Sequence, residues 1–379
     1  MGPLIRALPA WRGVSPRADP GVGRMVRCGR FHKARDVEHS RSILTSAVGA
    51  MRGWHRPLTA NAAAMFALAL ASAVGVFADD RLLLGESVWL KPLKFGFAMG
   101  VYGLTLAWLI SRLRRGRRLA WWLGAVFAVA GLLDVGAVVY AAAHGTVSHF
   151  NANAEPVART VRTVFDFGVL PLLLTTLVIA VLVLIQRTGD RALTIALRAG
   201  LGLAVAGMVV AVWLSNSAGP RTIADANGHP VAMTGGHGIG DPDGNGMAVT
   251  HWSTTGGDLR VPHFVGLHGI QVLLLVAAVL GLLAARHGRL RDERVRARLT
   301  GVAALGYTGV FAVLTWQAAR GQSVVHPDGQ TSLAFVGLAM LVVAAVVLVV
   351  VNSPRDARRV ASGGHHDGFA QQPAYQHEL

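Results

Sequence analysis

The sequence predicts an all-α integral membrane protein. Eight transmembrane helices are expected in two four-helix repeats, related by a pseudo-twofold axis along the membrane normal, with both termini cytoplasmic. Three observations carry that prediction. Hydrophobic residues make up 53% of the 379-residue chain and charged residues only 15%, where a soluble domain has about 45–50% and about 25%. The apolar excess falls in eight runs, each long enough for the roughly 20 residues that a helix needs to cross a bilayer. The loops between those runs alternate between arginine-rich and arginine-poor along the whole chain.

Residues 1–57 precede the first run. They are scattered with Arg, Pro and Gly and lack an apolar stretch of secretory length, so they read as a basic, disordered tail. Met51 is a candidate initiator. The one cysteine, Cys28, lies in this tail, which excludes intramolecular disulfides and cysteine metal centres. The first half, 58–186, holds apolar runs at about 58–77, 92–110, 119–143 and 164–185. The second half, 187–352, holds runs at about 193–214, 263–284, 299–319 and 332–352, with a long outer loop over 215–262. Residues 353–379 read as a disordered cytoplasmic tail.

Loop arginines orient the chain. "SRLRRGRR" after the second run and "ARHGRLRDERVRAR" after the sixth are dense in Arg; "QRTGDR" and "PRDARR" follow the fourth and eighth. The other four loops are poorer in Arg and carry Asp79, Asp80, Glu86, Asp241 and Asp243. This pattern predicts a bacterial cytoplasmic membrane protein with N-in, C-in topology and the lipid bilayer as its partner. The net charge of +16 would point to nucleic acid in a soluble protein; short basic loops account for it here, and no nucleic-acid partner is expected.

Two pairs of segments suggest the duplication. "KPLKFGFAMGVYGLTL" opens the second run and "RVPHFVGLHGIQVLLL" the sixth; "YAAAHGTVSHFN" closes the third and "WQAARGQSVVHPD" the seventh. With a one-residue gap, Lys94 falls on His263, Phe95 on Phe264, Gly145 on Gly321 and His149 on His326. Units of four helices insert the same way up, which places the symmetry axis along the membrane normal.

Polar residues concentrate toward the outer face, whereas the cytoplasmic halves of the second, third, sixth and eighth runs are almost wholly Leu, Val, Ala and Ile. Ionisable groups cost about 2.5–3.5 kcal/mol each at the centre of a membrane helix, so a group of them implies mutual pairing, a ligand or a wet cavity. A pocket open to the outer face fits better than a conduit. Its candidate metal ligands are His149, His263, His268 and His326, since imidazole suits a transition metal, haem iron or proton transfer. Only three lysines occur, and Lys91 and Lys94 share one helix face; an ammonium there can bind an anion as a point charge or act as a nucleophile. Asp134, the deepest acid, and Glu86 join Lys94 as candidate catalytic groups. Arg162, Asp166, Arg260, Gln271, Gln317 and Arg320 join Lys91 as candidate ligand-binding groups, with Arg–carboxylate pairing expected to offset their cost. In the outer loop, "DPDGNG" matches the opening of a calcium loop, but Val249 and Trp252 stand at its ninth and twelfth positions, so a glycine-rich turn is expected. His251, Ser253, Thr254 and Asp258 are polar groups that this loop could add to the pocket.

The segments "VWLKPLKFGFA", "GTVSHFN", "HWSTTGGDLRVPHFVGLHGIQ" and "TWQAARGQ" resemble a group of bacterial multi-pass membrane proteins over most of residues 60–350. That resemblance implies the membrane and no particular activity. The architecture is also similar to haem A synthase, with eight spans, two four-helix halves and outer histidines. In that family histidine ligands sit on even-numbered spans of both halves. Here the second span offers Lys94, and the fourth Asp166 with His149 at its approach; the sixth offers His263 and His268, and the eighth has His326 just before it. The N-terminal half therefore departs from a bis-histidine site. Three readings stay open: a redox protein or enzyme around haem or a transition metal, a metal-free enzyme or binding protein for an anionic lipid or isoprenoid-linked substrate, and a small-solute transporter or sensor, with a small-molecule or lipid ligand reaching the pocket from the outer face.

Overall fold

The structure, a computed structural model, describes residue 49 and residues 53–186, 189–214, 217–243 and 246–353. The expected tails and the candidate start at Met51 lie largely outside the described residues, as do Gly244 and Asn245 of the calcium-like turn.

Among the described residues eight helices are long and apolar enough to cross a membrane, and the protein is a multi-pass membrane protein. They are α1 (Arg56–Ala78), α2 (Leu90–Arg112), α3 (Arg117–Ala143), α4 (Pro156–Leu184), α5 (Arg191–Leu214), α6 (Arg260–Leu283), α7 (Glu293–Ala319) and α8 (Gly329–Val351). Their outward faces carry Leu70, Phe77, Phe167, Leu275 and Leu348, each more than half exposed. Such a surface would aggregate in water and suits lipid. Helix α4 begins at Pro156, well before its apolar run. Hydropathy marks only the membrane-buried stretch, whereas Ala158 and Val161 pack inward and continue the helix toward its N-terminus.

Helix ends follow from local chemistry. His55 caps α1, its Nδ1 accepting from the Leu58 N–H at 3.2 Å while Nε2 donates to the Trp121 carbonyl at 2.8 Å. Asp292 and Asp328 cap α7 and α8. Helices α3 and α7 stop in the same way. Gly145 and Gly321 adopt φ of 70° and 71°, their N–H groups return to Ala142 and Ala318, and the following N–H groups of Thr146 and Gln322 reach Ala141 and Gln317. A left-handed residue after the last turn requires glycine at little cost.

Packing runs in parallel through the chain. Helix α1 packs on α2 and α3, α2 on α3, and α3 on α4; α5 packs on α6 and α7, α6 on α7, and α7 on α8. Small residues allow these contacts, since lipid supplies no hydrophobic drive between helices. A Cβ placed on Gly96 of α2 would lie 2.8 Å from the Met65 carbonyl of α1, and one on Gly266 of α6 would lie 2.7 Å from Gly207 Cα of α5. Between the two groups of four, α4 and α5 pack together.

At one end lie the arginine-rich loops, tied by Gln186, which accepts from the Arg114 and Arg115 N–H groups, and by Arg296 to Asp190. At the other end three two-stranded ribbons form a lid, an addition to the expected all-helical chain; their strands are too short to leave a periodic signal. Ribbon β1–β2 (Leu82–Leu83, Glu86–Ser87) turns through Leu84 and Gly85, both at positive φ. Ribbon β3–β4 (Arg221–Ala224, Pro230–Met233) lies over the α3–α4 loop, bonded through the Ala152 N–H to Ala232 and the Thr234 N–H to Phe150. Val147, Ile223, Val231 and Met233 close an apolar cluster beneath it. Ribbon β5–β6 (Gly238–Ile239, Gly257–Asp258) leads into α6 and rests on the α7 end, where Ser323 donates to the Ser253 carbonyl at 2.8 Å. The lid therefore lies across the ends of both groups of helices.

Candidate anion site beneath the lid

Helices α2 and α6 both begin at the lid end, and each carries cations in its first turns. Lys94 of α2 pairs with Glu86 at 2.9 Å and donates to the Thr250 carbonyl at 3.3 Å. The β1–β2 turn is what presents Glu86. Arg260 of α6 grips Asp258 through a fork, with Nε 3.0 Å from Oδ1 and Nη2 2.7 Å from Oδ2, and also donates to the His251 carbonyl. The His251 ring comes within 3.8 Å of Glu86. Each helix start thus arrives with its own carboxylate.

Lys91 differs. Its Nζ lies 3.2 Å from His149 Nδ1 and 5.9 Å from the Phe95 ring centre. Among the described residues no carboxylate comes within the 4.0 Å of an ion pair, although Lys91 lies in the fields of Glu86, Arg260, Lys94 and Asp134. Its surface is mostly covered. His149 is boxed by Phe95, Phe150 and Phe165, and Ser148 Oγ lies 3.0 Å from the same Nδ1.

Three imidazoles therefore line this cluster: His149, His237 and His251. Burial holds all three below the ordinary histidine range, His149 well below it, with the charge of Lys91 adding to the effect. His237 is pushed down to about 3 by burial and by Arg260. For His251 the nearby Glu86 only partly offsets burial. Burial works to raise Asp258, but the bonds and charge of Arg260 outweigh it and pull the carboxyl below its usual value. His237 Nδ1 is buried without a hydrogen-bond partner among the described residues, 3.6 Å from Asp258 Oδ1. The three described non-glycine residues at positive φ are Leu84, Phe150 and His251, each at or beside this cluster. Such backbone gathers where a site is held in shape.

The remaining candidates spread out. His263 Nδ1 bonds the Gly207 carbonyl at 2.8 Å, His268 lies against Phe264, and His326 bonds the Thr254 carbonyl at 2.9 Å. With His149 bound to Lys91, the four histidines have four separate sets of partners. No three His, Cys, Asp or Glu side chains among the described residues gather as a metal-binding group. Arg162 and Asp166 do not pair: Arg162 donates to the carbonyls of Asn151 and Asn153, and Asp166 is exposed. Backbone oxygens of the α3–α4 loop lie closer to that guanidinium than a carboxylate one turn further along. Arg320 pairs with Asp328, while buried Gln317 donates to the Ser323 carbonyl and helps to fix the loop after α7. Asp134 is buried in α3, with Oδ1 unpartnered and Gly168 of α4 opposite. Gln271 Nε2 reaches Thr105 Oγ1 of α2 at 3.2 Å.

His237, one of eight histidines that the sequence places on the outer side, and Ser148 enter the cluster without having been among the candidate site residues. A lone histidine in "GGHGIG" is the signal that marked the first; nothing local marked the second. Comparison of the chain with protein-family models, curated proteins and solved structures returns no match.

Proposed function

We propose that this protein binds an anionic group, a phosphate or carboxylate, in a site on the outer side of a bacterial cytoplasmic membrane. The observation that carries the reading is Lys91, an ammonium beside two ion-paired cations that has no carboxylate of its own. Glu86 and Asp258 pair with Lys94 and Arg260, and Lys91, reached by the field of Asp134 but within ion-pair distance of no carboxylate among the described residues, is left without a direct partner in a cluster whose imidazoles are neutral near pH 7. An arriving anion supplies the missing charge, and charge-assisted bonds from ammonium and guanidinium are the strong ones.

The outer assignment rests on the arginine-rich loops at the end opposite the lid, which favours cytoplasmic termini. The two-repeat reading is supported by the recurring helix pairings and by the matched ends of α3 and α7 at Gly145 and Gly321. The metal- or haem-centred alternative draws no support from four histidines with separate partners, and the mid-membrane Gln271–Thr105 contact disfavours an open conduit. The test is thermal unfolding of the detergent-purified full chain in phosphate, pyrophosphate or citrate against chloride at equal ionic strength. The midpoint should rise with the multivalent anions, and Lys91→Met should abolish the rise. If none of the three anions shifts wild-type protein, the reading is wrong.

A further inference from the structure

The anion site continues into the seam between α2 and α6, and the contents of that seam bear on what kind of anion it takes. At about 100° per residue, Gly266, Gly269, Ile270 and Leu273 fall on the face of α6 that packs on α5. Phe264, His268, Gln271 and Leu275 fall on the opposite face. On α2, Gly96, Gly100 and Gly103 turn to α1, which leaves Lys91, Lys94, Ala98 and Thr105 on the other side. The Gln271–Thr105 bond shows that these two free faces meet. They meet without close packing, since α2 and α6 are absent from the closely packed helix pairs of the described residues.

The seam is chemically graded. At its mouth are the cations, with Trp252 of the lid 6.0 Å from Phe264 and Phe264 4.3 Å from His268. Phe264 is 46% exposed and Leu275 64%, and Ala98, Thr105, His268 and Gln271 all keep open surface. The Gln271–Thr105 contact crosses the seam about 16 Å along α6 from Arg260, at 1.5 Å per residue. A cationic mouth above a loosely packed seam, with Phe264, Ala98 and Leu275 interleaved with His268, Gln271 and Thr105 and with Phe264 and Leu275 exposed toward lipid, suits an anion carried on an acyl or prenyl chain.

Resting on the anion reading, we infer that the ligand is a phosphate-bearing lipid, its headgroup on Lys91, Lys94 and Arg260 and its chain in the α2–α6 seam. A chain seated in the seam packs against side chains of both helices, and a longer chain makes more of these contacts, so affinity should rise with chain length as well as with headgroup charge. Free inorganic phosphate shares the headgroup chemistry and is the source to be distinguished.

Native mass spectrometry of the detergent-purified full chain provides the test, with dioleoyl phosphatidic acid, dihexanoyl phosphatidic acid and dioleoyl phosphatidylcholine as probes. Thermal stabilisation by inorganic phosphate is measured alongside. The dioleoyl acid should be retained at least tenfold more tightly than the dihexanoyl acid, and phosphatidylcholine should not be retained. Ala98→Phe, which fills the seam, should reduce retention of the dioleoyl acid tenfold or more and leave phosphate stabilisation unchanged. Should that variant not fold, the chain-length comparison on wild-type protein decides alone. Equal retention of the two acids, or equal retention of phosphatidic acid and phosphatidylcholine, overturns the lipid assignment; stabilisation by inorganic phosphate would then leave the anion site standing. Absence of response to phosphate and phosphatidic acid alike defeats both.

Discussion

Replacing Gly207 by alanine should cost stability that the same change at Gly202, five residues earlier in α5, does not. A Cβ on Gly207 would stand 2.8 Å from Leu267 N, 2.9 Å from the His263 carbonyl and 3.1 Å from Gly266 C, all backbone atoms of α6 that cannot rotate away. Helices α5 and α6 must separate to admit it, and overpacking of this kind costs about 1–3 kcal/mol. The movement also stretches the bond from His263 Nδ1 to the Gly207 carbonyl, now 2.8 Å, worth about 1 kcal/mol. Gly202 meets nothing within 4 Å, so alanine there is neutral or gains up to about 1 kcal/mol from helix propensity. Reversible unfolding in mixed micelles measures both on one scale. The propensity gain is common to both sites and cancels, so the expected difference between the variants is about 2–4 kcal/mol. Equal stabilities, or a more stable Gly207→Ala, would refute the close approach of α5 and α6 on which the position of Arg260 depends.

Three further outcomes are expected. Lys91→Met should raise the stability of the ligand-free chain by on the order of 1 kcal/mol, since it removes an unpaired cation from beside two others; a loss of stability in the same mixed-micelle assay would mean that Lys91 is satisfied without a ligand. His55→Asn should keep the α1 cap and remove a titration. Burial, partly offset by the bond to the Trp121 carbonyl, holds His55 below 6.5, so its contribution is fully present above pH 6.5 and falls away as pH drops below that value. Wild-type stability should therefore decline on acidification more steeply than that of the variant, while His55→Ala loses about 0.5–2 kcal/mol at pH 8; parallel pH profiles would count against the neutral cap. Sulfate stays fully ionised between pH 7 and 6, and its affinity should change less than twofold over that interval, because His149, His237 and His251 all titrate below their usual range. A tenfold gain on acidification, read by calorimetry, would show that an imidazolium supplies the charge.

Much of the helical frame was legible because lipid imposes a simple rule: a long run without charge must be a helix. Eight runs were visible, and eight such helices are present among the described residues. What hydropathy could not reveal was the first turns of α4, which stand beyond the apolar run, and the lid ribbons, whose strands of two to four residues are specified by turns and by what they lie on. The site was legible by residue type and poorly legible by partnership. Two adjacent lysines in an arginine-using chain marked the cluster, but which acid serves which cation depends on contacts between distant segments. Arg162 shows the limit, because a carboxylate one helical turn away in sequence competes with loop carbonyls that only the fold brings near.

The division of charge across the two groups of helices bears on how the site holds together. Glu86 serves Lys94 within the first group, and Asp258 serves Arg260 at the start of the second. The second group is thus balanced at its own helix start while the first carries Lys91 without an ion-pair partner, and their junction brings Lys91 into the field of Arg260. That approach is repulsive, and loosely packed α2 and α6 do little to resist it. The lid opposes it instead, with β3–β4 fastened to the α3–α4 loop and β5–β6 fastened to the α7 end. An anion between Lys91 and Arg260 reverses the sign of the interaction across the junction. On this account the ligand is part of what joins the two groups of helices, and its loss should first loosen the lid and the α2–α6 seam while each four-helix group stays folded.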